Sequence, residues 1–496
     1  MNKIKIRACL VMISLFVAEN LYSQKIVTLQ EVLRLGRKYS IEYKERENVF
    51  IDEYWAYKQF TLDLLPKFNF SLNPFTVNRT LAERYDYENN VETFRETKTI
   101  SSNTGLNITQ SIPLTGASIS LGSNISRIEN FGDGDFTSFG VTTFRVSLNQ
   151  PLFKHNPYKW DKKELPLKLK KAKCEMIQFG EQLNQDIANL YFELAKAYQL
   201  YKLSQQEVSN SDALLRTGEK LLRIDKITPL DLVELELKQA NANISLANRE
   251  KELENARFQL DKMLEGNLPV DMVPIVLYPG EEIQLALGDI MKKAHELNPF
   301  YIDLEQKAID FQRQYDQIKK QNRLSADLNL SYGLNQGGET LKEAFQNPVN
   351  QQTGSITLSI PVFDWGISKR KKIIDLNKLE TDKAKLKSVT QEFEQSIKQR
   401  FYAYSIDKKT IQNADKARKL AMKSYTLKLE QYKLGKITLQ ELNQIQINLL
   451  DSEKEYINGI SRYWSNLFAL QALTLHDLHS GQPIRIDFDE IINSLN

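Results

Sequence analysis

Four histidines, His155, His295, His476 and His479, and two cysteines are the side chains best suited to hold a metal or attack a substrate. His476 and His479 stand three apart, a spacing that puts both imidazoles on one face if the segment is helical. No cysteine neighbours them and no HExxH pattern is present, so the pair reads as a surface feature near the C-terminus. The run Gly132-Asp133-Gly134-Asp135 has the composition of a calcium loop but lacks the acidic ligand that should follow it, which makes it a polar connection between strands. Neither a GxxxxGK(S/T) phosphate loop nor a GxSxG nucleophile turn occurs. The expectation is therefore no metal, no cofactor and no enzyme.

The remaining candidates are acids beside two turns of the same sequence. Lys226-Ile227-Thr228 and Lys436-Ile437-Thr438 are each followed three residues on by an acid, Asp231 and Glu441. A threonine at the start of a helix accepts a bond from a free N–H about three residues later, and a glutamate there can bond back, the reciprocal capping box. Thr-x-x-Glu fits that pattern and Thr-x-x-Asp is a looser relative. Acids in a first turn also complement the helix dipole.

Two such turns imply two such hairpins, and the chain is duplicated around them. With no gap, residues 147–235 lie over 357–445: Pro151 and Phe153 of SLNQPLF fall on Pro361 and Phe363 of TLSIPVF, Lys173 on Lys383, Gln185 on Gln395 and Ile187 on Ile397. TLQEVL at 28–33 likewise resembles ALGDIM at 286–291. The stretch 266–285, with Gly266, Pro269, Pro274, Pro279 and Gly280, separates the copies, with room for a short strand at Val273 to Leu277. This gives a first repeat over 24–272 and a second over 273–496.

Ahead of each turn runs a long charged segment with a narrow apolar stripe. Leu183, Ile187, Leu190, Leu194, Ala197 and Tyr201 recur at steps of three and four, as do Phe393, Ile397, Phe401, Tyr404 and Ile411. The helices are expected over about 160–224 and 367–434, each on the order of 100 Å at 1.5 Å per residue, with Pro166 starting or kinking the first. Helices of that length build a rod or tube. The strands carry a period of two: Phe68, Phe70 and Leu72; Leu106 to Ile112; Ile119 and Leu121; Phe144, Val146 and Leu148; Leu328, Leu330, Tyr332 and Leu334; Ile356, Leu358 and Ile360. Asn, Ser and Thr alternate with them, which suits a barrel with lipid outside and water inside, joined by polar loops such as 80–100 and 128–139. Six strands cannot close a membrane barrel and open edges are not tolerated in lipid, so several chains must contribute.

Export fits this reading. Lys3, Lys5 and Arg7 precede the apolar run Ala8 to Ala18, and small Ser23 marks a cleavage point, so 1–23 reads as a signal peptide. Its removal takes three basic residues and one acidic from totals of 66 and 63, which leaves a nearly neutral chain with no call for nucleic acid as partner. Cys174 then stands alone, so no intrachain disulfide forms.

The Q-P-L-F strand ending before a long helix (Gln150-Pro151-Leu152-Phe153, with Ile360-Pro361-Val362-Phe363 as its second copy) and the tip turn Tyr432, Gly435, Glu441, Leu442 resemble the TolC-like outer-membrane efflux family over about residues 28–475. The resemblance implies an α+β membrane channel, an oligomeric β-barrel joined to a long α-helical coiled-coil barrel with two internal repeats per chain. It implies a homotrimer in which each chain gives four strands to a twelve-stranded barrel in outer-membrane lipid and two hairpins to a periplasmic tunnel. It further implies a periplasmic adaptor protein and an inner-membrane transporter docking at the tip, at Lys226, Ile227, Thr228, Gly435, Lys436, Ile437 and Thr438. Acids after the turn ring the entrance in this family, which makes Asp231 and Glu441 the candidates here. Pro151, Phe153, Pro361 and Phe363 mark the strand-to-helix joints. Two departures stand out: Ile224-Asp225 replaces the Leu434-Gly435 of the second tip, and the strands around IPLTG (112–116) exceed the family's count. The expected role is a passive exit duct of a tripartite efflux or type I secretion system. The contrasting reading is a structural or adhesive coiled-coil protein of the cell surface, which would need neither alternating strands nor QPLF joints.

Overall fold

The computed structural model describes residues 25–86, 90–131, 135–278, 285–320, 324–360 and 362–493. The signal segment 1–23, Gly132 to Gly134, Pro279, Gly280 and Pro361 lie outside the described residues. The chain divides into two compact units, each drawn from both halves of the sequence. One takes the residues up to Phe50, Ala172–Tyr301 and those from Val389 onward; the other takes Ile51–Lys171 and Ile302–Ser388.

The second unit holds a six-stranded antiparallel sheet: β2 (Lys67–Asp86), β3 (Val91–Ile112), β4 (Ala117–Phe131), β5 (Phe136–Leu152), β7 (Ser325–Gly338) and β8 (Val349–Ser359), paired in that order. The strands around IPLTG therefore lie inside the sheet, between β2 and β5, and the count is six rather than the family's four. Most of 80–100 and part of 128–139 are strand, not loop: β2 and β3 stay in register out to Asp86 and Val91, and β4 and β5 out to Asn130 and Phe136. Alternation fades there because charges such as Arg79, Glu96 and Lys98 take over, while the backbone ladder, which needs no apolar side chain, continues.

Register shows what alternation means. Phe68 pairs Ile108, Ile108 pairs Leu121, Leu121 pairs Val146 and Val146 pairs Tyr332, so one apolar row crosses five strands. On the opposite face the row Asn69, Asn107, Gly122, Arg145, Gly333, Gln351 is polar or bare throughout. A slip of register in β2 between Asn73 and Thr76 swaps the parity of its side chains. Phe75 and Val77 thus continue on the face begun by Phe68, Phe70 and Leu72. The two outer strands, β2 and β8, each have one edge without a partner in this chain.

The first unit is helical. A parallel pair joins β1 (Lys25–Val27) to β6 (Met272–Pro274), which shares Val273 and Pro274 with the strand expected at Val273 to Leu277 and stops three residues short of its end. Two 11-residue helices, α1 (Leu29–Tyr39) and α5 (Leu287–Leu297), correspond to the two repeated openings. They lead into α2 (Ile41–Asp63) and α6 (Pro299–Lys320), most of whose residues belong to the second unit, as does the single turn α7 (Leu341–Ala344) between β7 and β8. The long helices are α3 (Pro157–Leu222) and α8 (Ile367–Lys433), of 66 and 67 residues, each followed by a return helix, α4 (Pro229–Met263) and α9 (Leu439–Thr474). Pro166 sits inside α3, which starts instead at Pro157, where a missing N–H costs nothing. No helix among the described residues is long and apolar enough to cross a membrane.

The core joins Leu183, Ile187 and Tyr191 of α3 to Leu260 of α4, Ile290 of α5, Ile397 of α8 and Ile460 of α9. The stripe is narrow on α8 but not on α3, which also buries Glu181, Asn184, Ala188, Phe192 and Ala195 because α1, β6, α4 and α9 all meet it there. Gly36 lets α1 seat against this region, since a Cβ there would fall 2.0 Å from Ile187 Cδ1. Tyr191 fastens the short strands: its hydroxyl donates to Val27 O (2.9 Å) or Ile275 O (2.8 Å) and accepts from Ile275 N–H (3.0 Å). Burial pushes its phenol up to about 12.

Candidate functional site

The two tips are built alike. Each long helix ends in a pair of bonds that close its last turn: Lys226 N–H donates to Leu221 O (2.9 Å) and Asp225 N–H to Leu222 O (3.0 Å), while Lys436 N–H donates to Gln431 O (2.9 Å) and Gly435 N–H to Tyr432 O (2.8 Å). This Schellman pattern needs a left-handed residue after the helix, and both Gly435 (φ 69°) and Asp225 (φ 52°) adopt it. The departure at Asp225 therefore changes the residue and keeps the backbone.

The returning helices start from full capping boxes. Thr438 Oγ1 accepts from Glu441 N–H at 3.2 Å, and Glu441 Oε2 accepts from Thr438 N–H at 2.8 Å. Thr228 and Asp231 make the same pair at 3.2 and 2.7 Å. The aspartate version, the looser relative on paper, is as complete as the glutamate one, because the short side chain sits close enough to reach Thr228 directly. The N–H and hydroxyl donors of Thr228 and Thr438 hold both carboxyls below their usual range. Each box uses one carboxylate oxygen, Asp231 Oδ2 and Glu441 Oε2, and both side chains are exposed.

Leu214, Leu235 and Leu442 form a small core that draws the two hairpins together, with Tyr432, Ile437 and Leu439 against it. Ile227 packs toward Gly218 of its own hairpin. Burial raises the phenol of Tyr432, and the charges of Asp231 and Glu234 from the other hairpin push it the same way. Lys226, Thr228, Gly435, Lys436 and Thr438 remain exposed, as do Ile224 and Leu434.

One group near the tips had no mark in the sequence. Lys238 Nζ of α4 lies 2.6 Å from Glu207 Oε1 of α3 and donates to Asn443 Oδ1 (2.8 Å) and Gln446 Oε1 (3.1 Å) of α9. The Glu207 contact is an ion pair without hydrogen-bond alignment, since that oxygen has no aligned donor. The other Glu207 oxygen accepts from Tyr425 Oη of α8 at 3.0 Å, and Tyr425 Oη in turn accepts from Asn210 at 3.1 Å. Burial and the Glu207 charge raise the Tyr425 phenol. A groove of about 660 Å³ opens beside this network, lined by Ser204, Glu207, Lys238, Asn241, Asn443 and Gln446 among others. Lys238 and Glu207 stand on different helices, so no local spacing links them.

The strand-to-helix joints are less alike than their sequences. Phe153 is left-handed (φ 62°) after β5, which includes Pro151; in the second joint Trp365 (φ 55°) and Gly366 (φ 77°) take that conformation instead. Asp364 caps α8 by accepting from Gly366 N–H (3.0 Å) and Ser368 N–H (2.9 Å). Phe363 stacks edge-on against Trp365, ring centroids 4.7 Å apart, and both are largely exposed.

The histidines are dispersed. His155 bonds Asp316 (3.0 Å) and His295 stacks on Tyr301 (4.1 Å). His476 and His479 follow the end of α9 and so share no helix face. His476 is buried with Nδ1 2.7 Å from Thr474 O, which corrects the expectation of a surface pair.

Residues 303–474 match the family described as outer membrane efflux protein, a stretch that ends with the last residue of α9. No curated protein sequence matches the chain. Among solved structures, a membrane protein from Pseudomonas aeruginosa is similar at 12% identity and TM-score 0.64, covering 93% of this chain and 92% of that one. The Campylobacter jejuni CmeC outer membrane channel is similar at 13% identity and TM-score 0.64, with 94% and 88% covered. The open state of the Neisseria gonorrhoeae MtrE outer membrane channel is similar at 14% identity and TM-score 0.58, with 91% and 89% covered. Residues 303–474 thus carry the outer membrane efflux protein domain, and the chain along its length has the fold of these outer-membrane channels.

Proposed function

We propose that the chain, after removal of residues 1–23, assembles as a homotrimer whose shared β-barrel spans the outer membrane and whose helical hairpins form a periplasmic tunnel. It serves as the passive exit duct of a tripartite efflux or type I secretion system. The observation that carries the reading is the sheet: one face carries apolar rows such as Phe68, Ile108, Leu121, Val146 and Tyr332, the other is polar or bare, and two edges are left open. Such a sheet is unstable in lipid until other copies close it. The repeated openings, long helices and capped turns support two copies of one ancestral unit. A periplasmic adaptor and an inner-membrane transporter are the partners, docking at the tips over the exposed Lys226, Thr228, Gly435, Lys436 and Thr438 and the half-buried Ile227 and Ile437. Asp231 and Glu441, capped but exposed, carry the charge of the entrance.

The assembly is tested by detergent extraction and light scattering corrected for detergent. Three protomers in the membrane fraction are expected; a stable monomer with intact β signal, or recovery from the soluble periplasm, refutes it. For the entrance, Glu441→Gln keeps a capping group and removes charge, so altered cation preference in single-channel recordings is expected. Unchanged selectivity in an assembled trimer leaves Glu441 as a cap alone.

A further inference from the structure

We propose that the inserted hairpin β3–β4 is part of the membrane wall, so that each subunit supplies six strands and the closed barrel has eighteen. This rests on the channel reading above and concerns how wide that channel is in the membrane.

Four observations carry it. The first is continuity of the ladder. β3 pairs β2 from Val91 to Thr109 and pairs β4 from Lys98 to Ile112, and β4 pairs β5 from Ser118 to Asn130, so the hairpin is hydrogen-bonded on both sides. A hairpin folded into the lumen or out over the rim would break one of these ladders.

The second is the match of faces. Ile108 and Leu121 sit in the row Phe68, Ile108, Leu121, Val146, Tyr332, and Ile119 sits in the row Gln110, Ile119, Leu148, Leu330. On the other side Asn107, Ser120 and Gly122 continue the polar face of β5 and β7. The inserted strands thus meet the same two solvents as their neighbours.

Third, the apolar stretch gives way to charge on the outer strand and the inserted ones alike, four residues earlier on β4, where Glu129 faces Ile100. On β2 Val77 is followed on the same face by Arg79, on β3 Ile100 gives way to Lys98 and Glu96, and on β4 Ile125 gives way to Arg127 and Glu129. Arg79 pairs with Glu96, and Arg127 with Glu129. The ten or so residues of β2 before Arg79 match the roughly 9–11 that cross a bilayer when tilted.

The fourth is that the lower turn is seated, not hanging. Asn156, just before α3, donates to Pro113 O (2.9 Å), Gln150 donates to Thr115 O (3.1 Å), and Ser111 Oγ lies 3.2 Å from Tyr158 Oη. Gly116 closes the turn at φ 76°, where a Cβ would press on Asn156 at 3.2 Å. The turn thus ends level with the strand-to-helix joint.

Barrel diameter grows roughly linearly with strand number, so eighteen strands in place of twelve widen the membrane section about one and a half times. The wider wall is lined by amides, hydroxyls and bare glycine, with Arg145 tied across Gly333 to Gln351 (2.6 Å). Such a lining suits bulky, neutral or mixed-charge cargo better than selection by charge.

Spin labels test this in the assembled protein in liposomes, with the parent, whose Cys174 is buried, as background. Labels at Val146→Cys and Leu330→Cys report on the barrel itself, Ile108→Cys and Leu121→Cys on the apolar face of the hairpin, and Asn107→Cys and Ser120→Cys on its polar face. We expect Ile108→Cys and Leu121→Cys to lose broadening by an aqueous nickel complex and gain it from oxygen, as Val146→Cys and Leu330→Cys do. Asn107→Cys and Ser120→Cys should keep nickel access. If the hairpin sites on both faces meet water while Val146→Cys and Leu330→Cys meet lipid, the hairpin is outside the wall and the channel reading stands. If all sites meet water, both readings fall. Should Leu121→Cys not assemble, Ile119→Cys and Leu106→Cys sample the same face.

Discussion

Replacing Lys238 with methionine should loosen the hairpin tips by an amount that can be worked out beforehand. The substitution keeps an unbranched side chain of similar length but removes the ammonium that faces Glu207 at 2.6 Å and donates to Asn443 and Gln446. Lys238 and Glu207 are 9% and 11% exposed, close to full burial, where losing one partner of an ion pair costs about 3–5 kcal/mol. The adjoining groove admits water to the stranded carboxylate, and Tyr425 still donates to it at 3.0 Å, so the expectation falls to about 2 kcal/mol. At 1.4 kcal/mol per tenfold, that is about a thirtyfold rise in local opening. Hydrogen exchange followed by mass spectrometry on the intact assembly reads this directly, because amides near the tip exchange through local rather than global opening. Protection should drop over about 204–240 and 420–450 and stay constant in the sheet. The double variant Glu207→Gln with Lys238→Met should recover most of the loss, since no charge is then left buried. Unchanged exchange in Lys238→Met, or a double variant whose loss is the sum of the two single losses, refutes the argument.

Asp225→Gly should strengthen the first tip by about 0.5–1 kcal/mol, because the left-handed conformation carries a Cβ cost that glycine escapes in part at the expense of chain entropy; Gly435→Asp should weaken the second by a similar amount. Exchange of the Lys226 and Lys436 amides, the outer donors of the two Schellman turns, checks both. The caps also set a pH dependence. Asp231 and Glu441 titrate below their usual range in the folded tip, so their contribution is complete above the ordinary carboxylate pKa near 4 and is lost as pH falls through the lowered values. Tip protection should thus fall on acidification, and Asp231→Asn with Glu441→Gln should flatten the acid limb.

Much of this architecture was legible because it rests on period and punctuation. The spacing of Leu183, Ile187 and Leu194 marked α3, and Thr438 with Glu441 marked the start of α9. Phe144, Val146 and Leu148 likewise marked β5. What escaped has identifiable reasons. Residues 80–100 read as loop because the apolar pattern stops where Arg79, Glu96 and Lys98 begin, yet pairing continues on backbone bonds alone. β2 read as a short strand ending at Leu72 because the bulge before Thr76 reverses its parity. The breadth of burial on α3 depends on how many elements meet it, which no single helix records. Position of the inserted strands, and the pairing of Glu207 with Lys238, are properties of topology: each joins residues that only the fold brings together.

The short parallel pair β1–β6 has a consequence for the order in which the chain can fold. Lys25–Val27 finds its partner only once Met272–Pro274 has emerged, and Tyr191 cannot hold Val27 O and Ile275 N–H until both are present. Phe50, near the start, packs on Phe488, near the end, with ring centroids 4.8 Å apart. The sheet has the same property, since β5 meets β7 only after four helices, α3 to α6, have been made between them. Contacts of such long sequence separation are slow to form, and neither unit is a continuous stretch that could close while the rest is still being made. The second unit cannot close before Ser388 has been made, nor the first before the segment from Val389 onward.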